Sequence, residues 1–146
     1  ILGNGKGNFE SLPGHLSGIL IYGEQRGAAF ADYNMDARID LLVTQNGAKT
    51  KLYQNTNSKP GLRVRLRGPK NNPWAFGSKI RIQYNDGTMG PVREIQSGSG
   101  YWSQNSPIQV MGLKKEAKKV YIQWPDGSKT TEIVQGEKLI ATYRSP

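Results

Sequence analysis

The residues with the clearest chemical pattern are Asp32, Asn34, Asp36 and Asp40, in a stretch that runs straight into the apolar segment Leu41-Leu42-Val43. Oxygen-bearing side chains stand at the first, third and fifth positions. A tightly turning backbone aims three such oxygens at one hard cation, and the main-chain carbonyl of Arg38 with the side chain of Asp40 closes the shell. Nitrogen and sulfur ligands are missing from this set, so the chemistry it suggests is that of Ca2+. Asp and Asn also favour turns through local side-chain bonding alone. Five ligands in register argue for the ion.

Other chemistry is thinly supplied. The chain has no cysteine and a single histidine, His15, which excludes disulfides, thiolate zinc and any multi-histidine centre. His15 is far in sequence from Ser97, Ser99 and Ser103, and Ser99 lies between two glycines in a turn rather than in a strand-to-helix elbow. A serine hydrolase is therefore not expected. The carboxylates outside the turn (Asp86, Glu94, Glu116, Asp126, Glu132 and Glu137) suggest no acid and base pair for glycoside hydrolysis. Gly3, Gly5 and Gly7 match neither phosphate-loop spacing, and no helical pattern follows them, so residues 1–10 read as a strand end and a tight turn.

Binding is better supplied than catalysis. Trp74, Tyr101, Trp102 and Trp124 are candidates for stacking on sugars, with core packing as the competing use of an aromatic ring. Trp124 shares a face with Val120 and Ile122 and is expected to be buried. Tyr101 and Trp102 stand in a loop rich in glycine and serine, where packing of the loop on a sheet is the commoner reading and ligand contact the alternative. Arg63, Arg65 and Arg67, with Lys79 and Arg81, make a basic stripe if their two strands pair. Residues 1–61 hold six Lys and Arg against five Asp and Glu, whereas residues 62–146 hold fourteen against six, within a net charge of +9. Such a field favours anionic partners. Nucleic acid is not expected, because these strands lack interleaved exposed aromatics.

The elements that must position these residues are short strands. Eighteen glycines and eight prolines punctuate short apolar runs, and no convincing helix appears. The sequence predicts strands at Leu16–Tyr22, Gly27–Ala31, Asp40–Thr44 and Thr50–Asn55. Polar residues 56–61 then form a joint. In Leu62-Arg-Val-Arg-Leu-Arg67 and Lys79-Ile-Arg-Ile-Gln-Tyr84 apolar and polar residues alternate with a period of two. Further strands are predicted at Val92–Gln96, Ile108–Met111, Lys119–Trp124, Thr130–Val134 and Lys138–Tyr143, with turns at Asn46-Gly47, Asn85-Asp86-Gly87 and Asp126-Gly127. This is an all-β chain of antiparallel sheets, closed as a sandwich or a barrel. No run of about 18 apolar residues exists, so membrane insertion is not expected. The chain starts without Met and without a signal-peptide pattern, and reads as a mature or truncated piece.

Two family resemblances follow from quoted residues. Gly27-Ala-Ala-Phe-Ala-Asp-Tyr-Asn-Met-Asp-Ala-Arg-Ile-Asp-Leu-Leu-Val43, with Leu52-Tyr53-Gln54-Asn55, resembles the FG-GAP (VCBS-type) repeat, the blade unit of integrin-like β-propellers, and Ile1–Phe9 resembles the end of the preceding repeat. That likeness implies calcium held by Asp32, Asn34, Asp36 and Asp40. Ala37 stands where the repeat usually has glycine, and a left-handed backbone there costs about 1 kcal/mol, which weakens the site. Asn72-Pro-Trp-Ala-Phe-Gly-Ser-Lys-Ile80, Arg93–Pro107, Gly112-Leu113 and Val120-Tyr-Ile-Gln-Trp-Pro-Asp-Gly127 together resemble the ASPIC/UnbV domain, which is found after FG-GAP repeats in secreted proteins. The two likenesses divide the chain into a partial repeat at residues 1–57 and an ASPIC/UnbV-like β domain at residues 58–146. A propeller needs about four to eight blades, so one partial blade implies a longer parent or recruitment to another sheet. The expected function is a non-catalytic binding or structural module, secreted, periplasmic or at the cell surface, with a protein or glycan partner. A module for acidic glycans and a hydrolase fragment are the alternatives. Oligomeric state is not legible.

Overall fold

The computed structural model describes residues 1–143 and is built from strands in four sheets. A small hairpin pairs β1 (Leu2–Gly3) with β2 (Phe9–Glu10) across the glycine turn. One helical turn, Gly14–Ser17, follows, ended by Gly18 with a φ of 75°. Next come β3 (Glu24–Ala31), β4 (Asp40–Asn46) and β5 (Lys51–Tyr53), an antiparallel meander. The strand expected at Leu16–Tyr22 does not form. No neighbouring edge pairs with it, so its backbone bonds close locally, Gly18 N–H on Gly14 O at 2.8 Å, and Leu16 and Tyr22 stay exposed.

Beyond the joint lie β6 (Leu62–Arg67), β7 (Lys79–Tyr84), β8 (Met89–Glu94), β9 (Gln109–Met111), β10 (Ala117–Gln123), β11 (Lys129–Ile133) and β12 (Lys138–Thr142). They form two sheets, one in the order β11-β10-β7-β8 and one in the order β12-β6-β9. The alternation read from sequence now has its cause. Leu62, Val64 and Leu66 of β6, with Leu139 and Ala141 of β12, meet Ile80 and Ile82 of β7 and Val120 and Ile122 of β10 in a single buried cluster. Two sheets sharing one core in this way make a sandwich, with polar residues facing out. No sheet closes on itself as a barrel. One pairing departs from the antiparallel expectation: β12 lies parallel to β6, Leu139 beside Val64 and Ala141 beside Leu66. A parallel pair needs a long crossover, and β7 to β11 provide it.

Trp124 is buried, as its position beside Val120 and Ile122 predicts. Its ring meets Tyr143 edge-on at 5.4 Å, and its Nε1–H donates to Thr130 Oγ1 at 3.0 Å. Every member of the core cluster falls between Leu62 and Ala141. The first 57 residues bury only Ala37 and Val43 among their apolar side chains. At roughly 1.5–3 kcal/mol for a fully buried Val-sized side chain, that is too little to order a segment of this length. The first part therefore leans on the second through the bonds described below.

The β7–β8 hairpin carries a strongly perturbed carboxylate. Asp86, in the exposed turn, is held down to about 2 from 3.8 by its ion pair with Lys115 first and by the hydroxyl and amide of Thr88. A carboxylate whose folded pKa is depressed contributes stability above its unfolded pKa and loses it as pH falls through the folded value. Carbon-detected NMR titration is expected to place the Asp86 midpoint near 2, with hairpin protection fading between about pH 4 and pH 2. In Lys115→Ala the midpoint moves up toward 3.8; a midpoint already there in the wild type would remove the ion pair from the account.

Candidate functional site

The acidic turn between β3 and β4 is closed by its own side chains. Asp36 N–H donates to Asn34 Oδ1 at 3.3 Å, and Arg38 N–H to Asp36 Oδ1 at 2.9 Å. The Asn34 amide first, then Arg38, holds the Asp36 carboxyl below its usual range. Asp40 is buried, its Oδ2 accepting Tyr33 N–H at 3.2 Å and its Oδ1 accepting Asn55 N–H at 2.8 Å. Ala37 adopts a φ of 62° and Met35 a φ of 61°, left-handed values that cost about 1 kcal/mol each without glycine. The residue expected to be strained is strained.

Asp32 links this turn to the sandwich. Its Oδ2 accepts the Ala37 N–H at 3.2 Å and the Nε–H of Arg63, from β6, at 3.0 Å, with the carboxylate side chain only 2% exposed and the arginine 18%. Around the pair the joint folds back: Gly61 N–H donates to Ala37 O at 2.8 Å, and Arg38 Nε to Ser58 O at 2.7 Å. Gly61 is obligatory because a Cβ there would stand 2.6 Å from Met111 O.

Donor chemistry in the turn fits a hard cation, and Asp32 Oδ1 is a buried oxygen with no hydrogen-bond partner among the described residues. No three His, Cys, Asp or Glu side chains among the described residues gather closely enough to hold a metal. A shell here needs the Asn34 amide and the Arg38 carbonyl beside the carboxylates. The Arg63 guanidinium already supplies one positive charge at Asp32.

The second candidate is the loop from Ser97 to Pro107. Tyr101 and Trp102 stack at 5.4 Å with ring planes 8° apart, and remain 68% and 83% exposed. Three bonds pin the loop. Asn105 N–H donates to Ser99 Oγ at 2.8 Å, Phe30 N–H to Asn105 Oδ1 at 2.8 Å, and Ser106 N–H to Phe30 O at 2.9 Å. The last two attach the loop to the outer edge of β3. Gly27 lets it approach, since a Cβ there would lie 3.3 Å from Trp102 O. The sequence gives Asn105 no role and marks Gly27 only as the start of a small-residue strand able to pack closely. A lone glycine inside a strand pattern, at the bulge between Gln25 and Gly27, was the available signal. Beside the loop a groove of about 600 Å³ is lined by Phe30, Ile39, Glu94, Ser99, Asn105 and Val110.

The basic stripe is divided. β6 pairs with β12 and β9, and β7 with β10 and β8, so Arg63, Arg65 and Arg67 face out from one sheet while Lys79 and Arg81 face out from the opposite one. Alternation showed which way each arginine points relative to its own strand, but not that the two strands lie across the core from each other. Arg63 is committed to Asp32, and Arg65 lies 5.5 Å over the half-exposed ring of Trp74. His15 is exposed on the helical turn, and no hydrogen bond joins it to Ser97, Ser99 or Ser103 among the described residues.

Residues 68–141 match the family described as ASPIC and UnbV. Cartilage acidic protein 1 of Xenopus tropicalis is 28% identical over 121 residues, covering 79% of this chain and 18% of the relative. The Mus musculus protein of the same name is 27% identical over 123 residues, covering 80% and 19%. The chain thus spans about a fifth of the length of the curated relatives it matches. With four fifths of the chain matched, the likeness reaches well ahead of residue 68, into the part that holds the acidic turn.

Removing one partner of a buried ion pair strands the other charge, at about 3–5 kcal/mol when both are fully buried. Arg63→Ala is expected to cost about 2–3 kcal/mol by urea denaturation, the partial exposure of the arginine reducing the figure. The double variant Asp32→Asn/Arg63→Met is expected to cost less than the two single changes together; strict additivity would show that the pair is not coupled.

Proposed function

Because the chain belongs to the ASPIC and UnbV family, we propose that it is a non-catalytic interaction module of a secreted or cell-surface protein, presenting Tyr101 and Trp102 to a protein partner. One observation carries this reading: two stacked aromatic rings are held out in solvent by a loop whose backbone is bonded to a neighbouring sheet. Trp102 is kept at a φ of 49°, a conformation that persists only where surrounding bonds hold it. A loop fixed in this way has little entropy left to lose on binding, and Tyr and Trp are the side chains that most often dominate protein interfaces.

Residues 1–57 are, in the same reading, the partial FG-GAP/VCBS repeat of a longer propeller, and residues 58–146 its ASPIC/UnbV domain. Leu42 and Leu52, side by side on β4 and β5, are exposed. An adjacent blade would cover them. Calcium, when bound, would be held by Asp32, Asn34, Asp36, the carbonyl of Arg38 and Asp40, supplying charge that rigidifies the turn. Ala37 and the guanidinium of Arg63 both weaken it.

Trp102→Ala is expected to abolish a hit on an array of secreted and cell-surface ectodomains, losing about 2 kcal/mol or more of binding, with melting unchanged. Retained binding would overturn the aromatic site, and hits confined to a glycan array would reassign its ligand. Calcium against chelator is expected to raise the melting temperature by a few degrees, about 1 kcal/mol of stability, and by more in Arg63→Ala, where the competing cation is gone. Identical melting curves in both proteins would exclude the ion.

A further inference from the structure

The outward face of the four-stranded sheet forms a regular grid. Across β11, β10, β7 and β8 the rows read Lys129-Gln123-Lys79-Glu94, then Thr131-Tyr121-Arg81-Val92, then Ile133-Lys119-Gln83-Met89. Four cations stand against one carboxylate. None of the four is in an ion pair among the described residues, in contrast to Arg63 on the other sheet. Arg81 is oriented by its Nε–H, which donates to Gly90 O at 2.8 Å. A depression of about 250 Å³ is lined by Lys79, Arg81, Val92, Tyr121, Lys129 and Thr131. Tyr121 is 37% exposed and Val92 54%, and the Tyr121 hydroxyl is tied to Gln83 Oε1 at 3.2 Å.

We propose that this face binds an acidic polysaccharide, the ring of one sugar resting on Tyr121 and Val92 while flanking carboxylate or sulfate groups meet Lys79, Arg81 and Lys129. The charge pattern selects the class. Lys79 and Lys129 stand two strands apart in one row, about 10 Å, which suits a chain with dispersed charges rather than one compact phosphate. The apolar floor suits the C–H face of a pyranose, and Thr131 and Gln123 offer hydrogen bonds to its hydroxyls. A single-stranded nucleic acid would call for successive stacking rings, and Tyr121 is the only aromatic in the grid. The face meets the groove beside the Tyr101–Trp102 loop only at its edge residues Val92 and Glu94, and Lys79, Arg81, Tyr121 and Lys129 lie outside that groove, so it stands or falls apart from the function proposed above.

Immobilised heparin and hyaluronan are the probes, with neutral dextran as control. Lys79→Ala/Lys129→Ala is expected to weaken retention by at least about 10-fold, and Arg67→Ala, an exposed cation on the opposite sheet, by less than about 2-fold. Tyr121→Ala is expected to lose affinity while leaving its salt dependence unchanged. Trp102→Ala is expected to bind both probes normally even where its ectodomain binding is lost. Equal losses in Lys79→Ala/Lys129→Ala and Arg67→Ala would reduce the effect to net charge and overturn the site. Failure to bind either probe, or tighter binding to single-stranded DNA than to both, would overturn it as well.

Discussion

The buried contact between Asp32 and Arg63 is the constraint on which the arrangement of this chain depends. A carboxylate so nearly enclosed is tolerable only with an opposite charge and hydrogen bonds around it, and both come from separated parts of the sequence. Asp32 ends the β3 approach to the acidic turn; Arg63 is the second residue of β6 in the sandwich. The first part contributes nothing to the shared core. Polar bonds, with Gly61 packed against Met111 at the joint, set where it lies.

That attachment also settles what happens to an exposed edge. β3 is an outer strand of its sheet, and an unpaired edge invites association with other chains. The loop from Ser97 to Pro107 takes up the main-chain groups of Phe30 through Asn105 and Ser106. The bonds that protect the edge also stiffen the loop that holds out Tyr101 and Trp102. Protection of one part and presentation by the other are thus a single set of contacts.

Charge is distributed by the same logic. Two of the three β6 arginines are spent inside the molecule, Arg63 on Asp32 and Arg65 on the Trp74 ring. Lys79, Arg81, Lys119 and Lys129 on the opposite sheet are in no ion pair among the described residues and share a face with Tyr121. A net charge of +9 alone would not separate the two faces, because it says how many cations there are and nothing about which are already paired.

Local alternation was enough to place β6 and β7 to the residue, since a period of two follows from the backbone of any strand with one buried face. The Asn-Asp-Gly and Asp-Gly turns and the burial of Trp124 were legible for the same reason: each depends on neighbours within a few positions. The left-handed backbone at Ala37 was legible through the resemblance to a repeat that usually has glycine there. The absent strand at Leu16–Tyr22 marks the limit of that reading. Its apolar residues are adequate for a strand, but a strand exists only where another edge accepts its hydrogen bonds. The parallel pairing of β12 with β6 and the closure of Asp32 by Arg63 join residues far apart in the chain, and the placing of Arg81 across the core from Arg65 depends on how whole sheets pack. By itself the sequence determined which residues turn, alternate and carry charge; only the tertiary structure decided which charges meet, because pairing is a matter of distance in space and the chain reaches that distance through the packing of its sheets.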